Sequence, residues 1–348
     1  MVVDDSYFIR KRLLEIFKQT SDIEVVGEAV NGREAVRLIS KLQPDVVTMD
    51  VEMPEMNGIE AVKLIMRENP TPILMFSVST REGARATLDA LEAGAVDFLP
   101  KQLETAGANR EKANELLCSR VRLIGQRAGY LKQRFIRNQS NLASQKKAQP
   151  LATSARPAVK NAYSLLVIAA STGGPVAIQK IVTGISGRLS MPVLIIQHMP
   201  AKFTTSFAER LNRDAQIEVR EAKDGDLLKP SLALVAPGGF QLEIVSDRSG
   251  PKVSIRNSRE NEYYHPCVDV AFNSLAQNFQ GTILTVVLTG MGSDGKIGAQ
   301  ALKRRGASIW AQSEETCTVY GMPKAIVDSD LADRVLDLDL IAHDIALL

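Results

Sequence analysis

Six apolar residues in a row, Leu165-Leu166-Val167-Ile168-Ala169-Ala170, end abruptly in Ser171-Thr172-Gly173-Gly174-Pro175. An uninterrupted apolar run closed by turn residues predicts a strand buried on both faces, and such strands belong to parallel sheets covered by helices. Ser171 then stands at the carboxyl end of the strand, where open α/β sheets place their ligands. Pro175 suits the first turn of a helix over residues 176–182. The outcome is a hydroxyl on a tight strand-to-helix turn with helix N–H groups beside it. Such a turn suits a nucleophile or a bound anion. A serine that merely caps a helix gives the same local pattern, so the rest of the chain has to decide.

At 348 residues the chain can form two domains with sizeable cores. A formal charge of +2 supplies no bulk field for nucleic acid or a membrane surface. No apolar run approaches the roughly 20 residues that span a bilayer, so direct membrane insertion is not expected. Asp4 and Asp5 interrupt the apolar start, which is not the pattern of a signal peptide. Cys118, Cys267 and Cys317 are scattered and odd in number, which fits reduced thiols and a cytoplasmic location. With His198, His265 and His343 the only histidines and no cysteine pairs, a zinc site is not expected.

The first third alternates strand and helix signals. Strands are predicted at residues 1–3, 23–26, 45–49, 72–76 and 96–99, with helices between them. Repeated β–α units give a parallel sheet wound on both sides. Asp4, Asp5 and Asp50 follow strands and can meet at the carboxyl edge of that sheet. Clustered carboxylates repel unless a cation offsets them, and oxygen ligands of this kind suit Mg²⁺. Ser77 ends the fourth strand and Lys101 follows the fifth, which completes a site for a phosphoryl group.

Asp4-Asp5, the run from Met49 through Asp50 to Gly58, Ser77 and Pro100-Lys101 resemble the two-component receiver domain over roughly the first third of the chain. The resemblance implies a flavodoxin-like sheet in the order 2-1-3-4-5. It also implies Mg²⁺ held through Asp5 and Asp50 beside Asp4, Asp50 as phosphoacceptor, and Ser77 and Lys101 contacting the phosphoryl group. The first strand, Met1-Val2-Val3, is shorter than receivers usually show.

The receiver is expected over residues 1–120. A basic stretch that can extend a helix follows (Arg122, Arg127, Lys132, Arg134, Arg137), then polar, small and Pro-bearing residues, and a flexible linker is expected over residues 121–160. Few aromatic residues interleave with those cations, so nucleic acid is not an expected partner. Residues 161–348 form the second domain, again α/β. Further buried strands run through residues 192–198, 232–236 and 282–288, with another at 309–312 and an antiparallel pair at 242–245 and 253–255.

Three of these strands lead into Ser171, His198 and Asp294. In a parallel sheet those ends share one edge. Ser, His and Asp together form an acyl-transfer set: His takes the Ser proton, and Asp fixes the His tautomer and stabilises the imidazolium. The chain order Ser–His–Asp differs from the α/β-hydrolase order. A nucleotide site is disfavoured, because Ser171-Thr172-Gly173-Gly174 is not G-x-G-x-x-G and no Walker lysine follows.

The second domain resembles the chemotaxis protein-glutamate methylesterase family. The likeness is carried by Ala170 to Pro175, Gln197-His198-Met199, Ala236 to Gly239, Leu288 to Gly295 and Val319 to Pro323. The resemblance implies a doubly wound, mostly parallel α/β methylesterase domain joined to a receiver. It implies hydrolysis of glutamate methyl esters on methyl-accepting chemotaxis receptors, deamidation of certain receptor glutamines, and phosphorylation by the chemotaxis histidine kinase. The esterase reaction itself would need no cofactor. Backbone N–H groups near Thr172 and Met291 are the oxyanion-hole candidates. Cys267 stands where the family has Ser and is expected to leave the triad untouched. Two alternatives remain: a response regulator whose second domain only binds a partner, and a DNA-binding regulator. The intact Ser, His and Asp count against the first. The second needs a helix-turn-helix after the linker, where a buried strand stands instead.

Overall fold

The computed structural model describes residues 1–78, 80–101, 108–144, 163–185, 187, 189–248 and 250–348. The chain divides into two compact units, Met1–Thr153 and Ser154–Leu348.

The first unit alternates β1 (Val2–Val3), α1 (Tyr7–Lys18), β2 (Glu28–Ala29), α2 (Gly32–Leu42), β3 (Val47–Asp50), α3 (Gly58–Glu68), β4 (Ile73–Ser77), α4 (Arg81–Glu92) and β5 (Asp97–Pro100). The sheet is parallel and ordered β2-β1-β3-β4-β5, as the receiver resemblance implies. Side-chain caps from Ser6, Asn31, Asn57 and Thr80 start the four helices, and Asn57 with Glu60 completes a capping box. The strand expected at residues 23–26 is displaced to Glu28–Ala29. Register explains the shift. Val2 lies opposite Glu28 and Val3 opposite Ala29, so Val26 and the residues before it have no residue of β1 opposite them.

The structure also differs at the expected linker. Helices α5 (Ala108–Gln126) and α6 (Ala128–Ser144) occupy residues 121–126 and 128–144 of that stretch, and residues 145–162 lie outside the described residues. The arginines hide an apolar stripe: Leu117, Val121, Ile124, Ala128 and Leu131 recur at alternating spacings of four and three and are buried. Four of them join Phe17, Val46, Leu74 and Phe76 in the core of the first unit. Arg120 is anchored by an ion pair to Asp97.

The second unit contains β6 (Leu165–Ala170), α7 (Gly174–Gly184), β7 (Val193–Gln197), α8 (Ala201–Asp214), β8 (Glu218–Glu221), β9 (Leu232–Val235), β10 (Gln241–Asp247), β11 (Gly250–Arg256), α9 (Val268–Asn278), β12 (Ile283–Val287), α10 (Lys296–Arg304), β13 (Ser308–Gln312), α11 (Met322–Val327), β14 (Arg334–Leu336) and α12 (Leu338–Ala346). Seven strands form one parallel sheet in the order β14-β13-β12-β6-β7-β9-β8. The expected antiparallel pair forms the separate β10–β11 ribbon. Both edge strands escape sequence reading. β8 is Glu-Val-Arg-Glu with only Val219 buried, and no residue of β14 is fully buried, so neither shows an apolar run. From β6 the chain proceeds outward through β7, then returns to the other side of β6 at β12. The reversal creates a switch point between β12, β6 and β7, where open α/β sheets form their ligand crevice.

Candidate active site and phosphoacceptor site

Ser171, His198 and Asp294 lie beyond the carboxyl ends of β6, β7 and β12, three adjacent strands. Ala170 pairs with Gln197, and the His198 N–H donates to the Ala170 carbonyl at 3.1 Å, so Ser171 and His198 follow neighbouring rungs of one ladder. Ser171 is only 4% exposed. Gly173, at φ +75°, turns the chain from Ser171 into α7, a conformation that costs Gly little and other residues more. Thr289 grips the same turn from the other side. Its carbonyl accepts the Ser171 N–H at 3.0 Å, and its hydroxyl donates to the Thr172 carbonyl at 2.9 Å.

His198 Nε2 donates to Asp294 Oδ2 at 2.8 Å. The lone-pair nitrogen is therefore Nδ1, which is buried and, among the described residues, has no hydrogen-bond partner. The ring is used in the opposite sense to the triad in which the carboxylate holds Nδ1. Asp294 is also fixed by the first turn of α9: the Val268 N–H donates to Oδ2 at 2.7 Å and the Asp269 N–H to Oδ1 at 2.9 Å. Burial works against the Asp294 carboxylate, but the His198 hydrogen bond and charge and these amides outweigh it and hold its carboxyl below the usual aspartate range. It therefore stays ionised beside the His198 ring.

Cys267 corrects an expectation. Its thiol donates to Asp294 Oδ1 at 3.3 Å, so the Ser-to-Cys departure does touch the triad. Burial, then the Asp294 charge, push that thiol up to about 12, so it serves as a donor and not as a thiolate. Sequence reasoning also missed Tyr264, whose ring stacks on His198 with centroids 4.3 Å apart and planes 4° off parallel. Nothing in the sequence brings Tyr264 to His198; a long connection from β11 to α9 does. Thr172 is buried, and Met291 is half-buried on the loop carrying Asp294.

In the first unit Asp4, Asp5 and Asp50 converge, each offering an oxygen within 4.8 Å of the others. Lys101 Nζ lies 2.8 Å from Asp4 and 2.6 Å from Asp50. A cavity of about 540 Å³ opens over Asp5, Asp50, Ser77 and Lys101. Ser77 lines it but turns its hydroxyl to the Gly83 carbonyl at 3.0 Å. Burial pushes the Asp50 carboxyl up to about 6, although Lys101 opposes the rise. Three hard oxygen donors carrying more negative charge than one ammonium can offset fit a divalent cation of the Mg²⁺ type.

The raised Asp50 value carries a stability prediction. A carboxyl raised on folding contributes stability fully present below its unfolded value near 4 and lost as pH rises through about 6. Unfolding in denaturant, without divalent cations, should therefore show Asp50→Asn gaining on the wild type between pH 4 and 7, by at most about 3 kcal/mol. A difference that is flat across this window, or that shrinks with pH, contradicts the electrostatic account.

The two sites define a class: an α/β protein that joins a receiver-type carboxylate cluster to a Ser–His–Asp constellation. Residues 166–345 match the family model of the CheB methylesterase, and residues 1–108 that of the response regulator receiver domain. The chain is 46% identical to the protein-glutamate methylesterase/protein-glutamine glutaminase 1 of Vibrio cholerae, over 99% of this chain and 96% of that protein. It is 47% identical to the corresponding protein of the group 1 operon of Pseudomonas putida, over 97% and 96% of the two chains. The crystal structure of the Thermotoga maritima CheB methylesterase catalytic domain aligns with 53% of this chain and 97% of that one, at 34% identity and a TM-score of 0.51. The chain belongs to the family of the protein-glutamate methylesterases/protein-glutamine glutaminases.

Proposed function

We propose that the chain hydrolyses glutamate methyl esters on methyl-accepting chemotaxis receptors and deamidates specific receptor glutamines, under control of its receiver. The observation that carries this reading is the Nε2–Oδ2 bond of 2.8 Å between His198 and Asp294, beside the Ser171 turn. Ser171 Oγ attacks the ester carbonyl carbon and its proton passes to His198 Nδ1. The N–H groups of Thr172 and Met291 receive the developing oxyanion. Collapse breaks the C–O bond, and methoxide takes the proton from His198 to leave as methanol. Water then attacks the acyl-enzyme carbonyl and gives a proton to Nδ1; the acyl C–Oγ bond breaks, Ser171 Oγ takes that proton back, and the glutamate is freed. An amide follows the same course with ammonia leaving.

In the receiver, Asp50 takes a phosphoryl group from the chemotaxis histidine kinase, and Lys101 pairs with it. Ser77 contacts it once its hydroxyl leaves Gly83. Asp5, Asp50 and Asp4 would hold Mg²⁺, which when bound offsets charge on the phosphoryl group. Among the described residues no helix is long and apolar enough to cross a membrane, and the free cysteines support a cytoplasmic setting.

The test is methanol release from methylated receptors with and without a small phosphodonor and Mg²⁺. The reading expects release that rises with the donor. Receptor binding without methanol release would instead favour a non-catalytic second domain.

A further inference from the structure

Gln197 is the last residue of β7 and lies directly opposite Ala170, between the two catalytic turns. Its side chain is essentially inaccessible, at 1% exposure. Its amide nitrogen donates to the Ser171 carbonyl at 2.9 Å and to the His198 carbonyl at 3.1 Å. One NH₂ group thus spends both donors on the main chain of the nucleophile and of the base. Its oxygen receives no hydrogen bond among the described residues, although it is buried. Leaving a buried acceptor without a donor is unfavourable, so the amide sits here in spite of a local penalty. Space around it is equally tight: a Cβ added to Gly174 would come 2.1 Å from Gln197 Oε1.

We propose that Gln197 is a positioning residue, a brace that fixes the separation of Ser171 and His198 by holding both carbonyls through one amide nitrogen. The inference rests on the Ser–His reading above. The backbone joins the two turns at one point, the His198 N–H on the Ala170 carbonyl, and the Ser171 carbonyl accepts the Gly174 N–H at 2.8 Å within its own turn, so a second tie between the turns must come from a side chain. Gln197 supplies it. Proton transfer from Oγ to Nδ1 tolerates little misplacement; about 1 Å can cost on the order of a hundredfold in rate.

The test is the rate at which a fluorophosphonate labels Ser171 in the full-length protein, with melting temperature followed in parallel. Wild type should label far faster than His198→Ala, and Gln197→Met about a hundredfold slower than wild type while folded. In the His198→Ala background Gln197→Met should cost nothing more, because a brace has no role without the base it aligns. With receptor substrate, kcat should fall while KM holds. Gln197→Asn, which keeps the amide but is one methylene too short to hold both carbonyls, should show the same signature and decides the matter if Gln197→Met does not fold. Labelling by Gln197→Met within about threefold of wild type overturns the brace, as does an undiminished loss in the His198→Ala background. If wild type labels no faster than His198→Ala, the Ser–His reading falls and the brace falls with it.

Discussion

Replacing Ser171 or His198 by alanine is expected to cut methyl-ester turnover by about a millionfold, and the double replacement should be hardly worse than either alone. On the proposed mechanism the two residues share one step, the transfer of the Oγ proton to Nδ1, so removing either would abolish it. Asp294→Ala should cost somewhat less, on the order of ten-thousandfold, since the base survives but loses the group that fixes its tautomer. The geometry explains this ranking. Asp294 reaches His198 at 2.8 Å while bound to two amides of α9, so it orients the ring without handling the reacting proton. Methanol release measured on folded variants checks the order. Near-wild-type hydrolysis by Ser171→Ala would remove the nucleophile from the scheme.

A fragment of residues 158–348 is expected to hydrolyse receptor esters without any phosphodonor, faster than the unphosphorylated full-length protein by about one to two orders of magnitude. The proposal is that the unphosphorylated receiver restrains the esterase and that phosphorylation releases it. Phosphate brings roughly two negative charges to Asp50. Lys101, now 2.6 Å from Asp50, and Ser77, now bonded to Gly83, would both have to re-aim. Tethering keeps the effective concentration high, so even weak docking inhibits. Asp50→Asn should stay slow whatever donor is added. A folded fragment no faster than the unphosphorylated full-length protein would replace restraint by recruitment or direct activation.

Much of this is legible in the sequence because fully buried parallel strands leave unbroken apolar runs. Residues 165–170, 193–197 and 283–287 stand out for that reason, and the residues that follow them are Ser171, His198 and the loop to Asp294. The carboxylate cluster reads out by the same logic. Edge strands β8 and β14 do not, since β8 is Glu-Val-Arg-Glu with one buried residue and β14 is three residues, Arg-Val-Leu, with none fully buried. The displaced β2 follows from a pairing register that no local pattern encodes. Helices α5 and α6 are obscured by arginines flanking a narrow buried stripe. Contacts across long connections are invisible in advance: Tyr264 on His198, Cys267 on Asp294 and Gln197 between two carbonyls. Each depends on the path of a loop or on the alignment of two strand ends rather than on spacing along the chain.

The most direct measurement is to quench a reaction of the enzyme with a methylated receptor in acid within its first turnover and to map covalent adducts by mass spectrometry. The account predicts a Ser171 peptide joined to a receptor glutamyl peptide, its mass that of the Ser171 peptide plus the methylated receptor peptide less one methanol. The adduct should be absent in His198→Ala. Methanol appearing in the first turnover with no adduct on Ser171, or with the receptor glutamyl group carried on another residue, would contradict it.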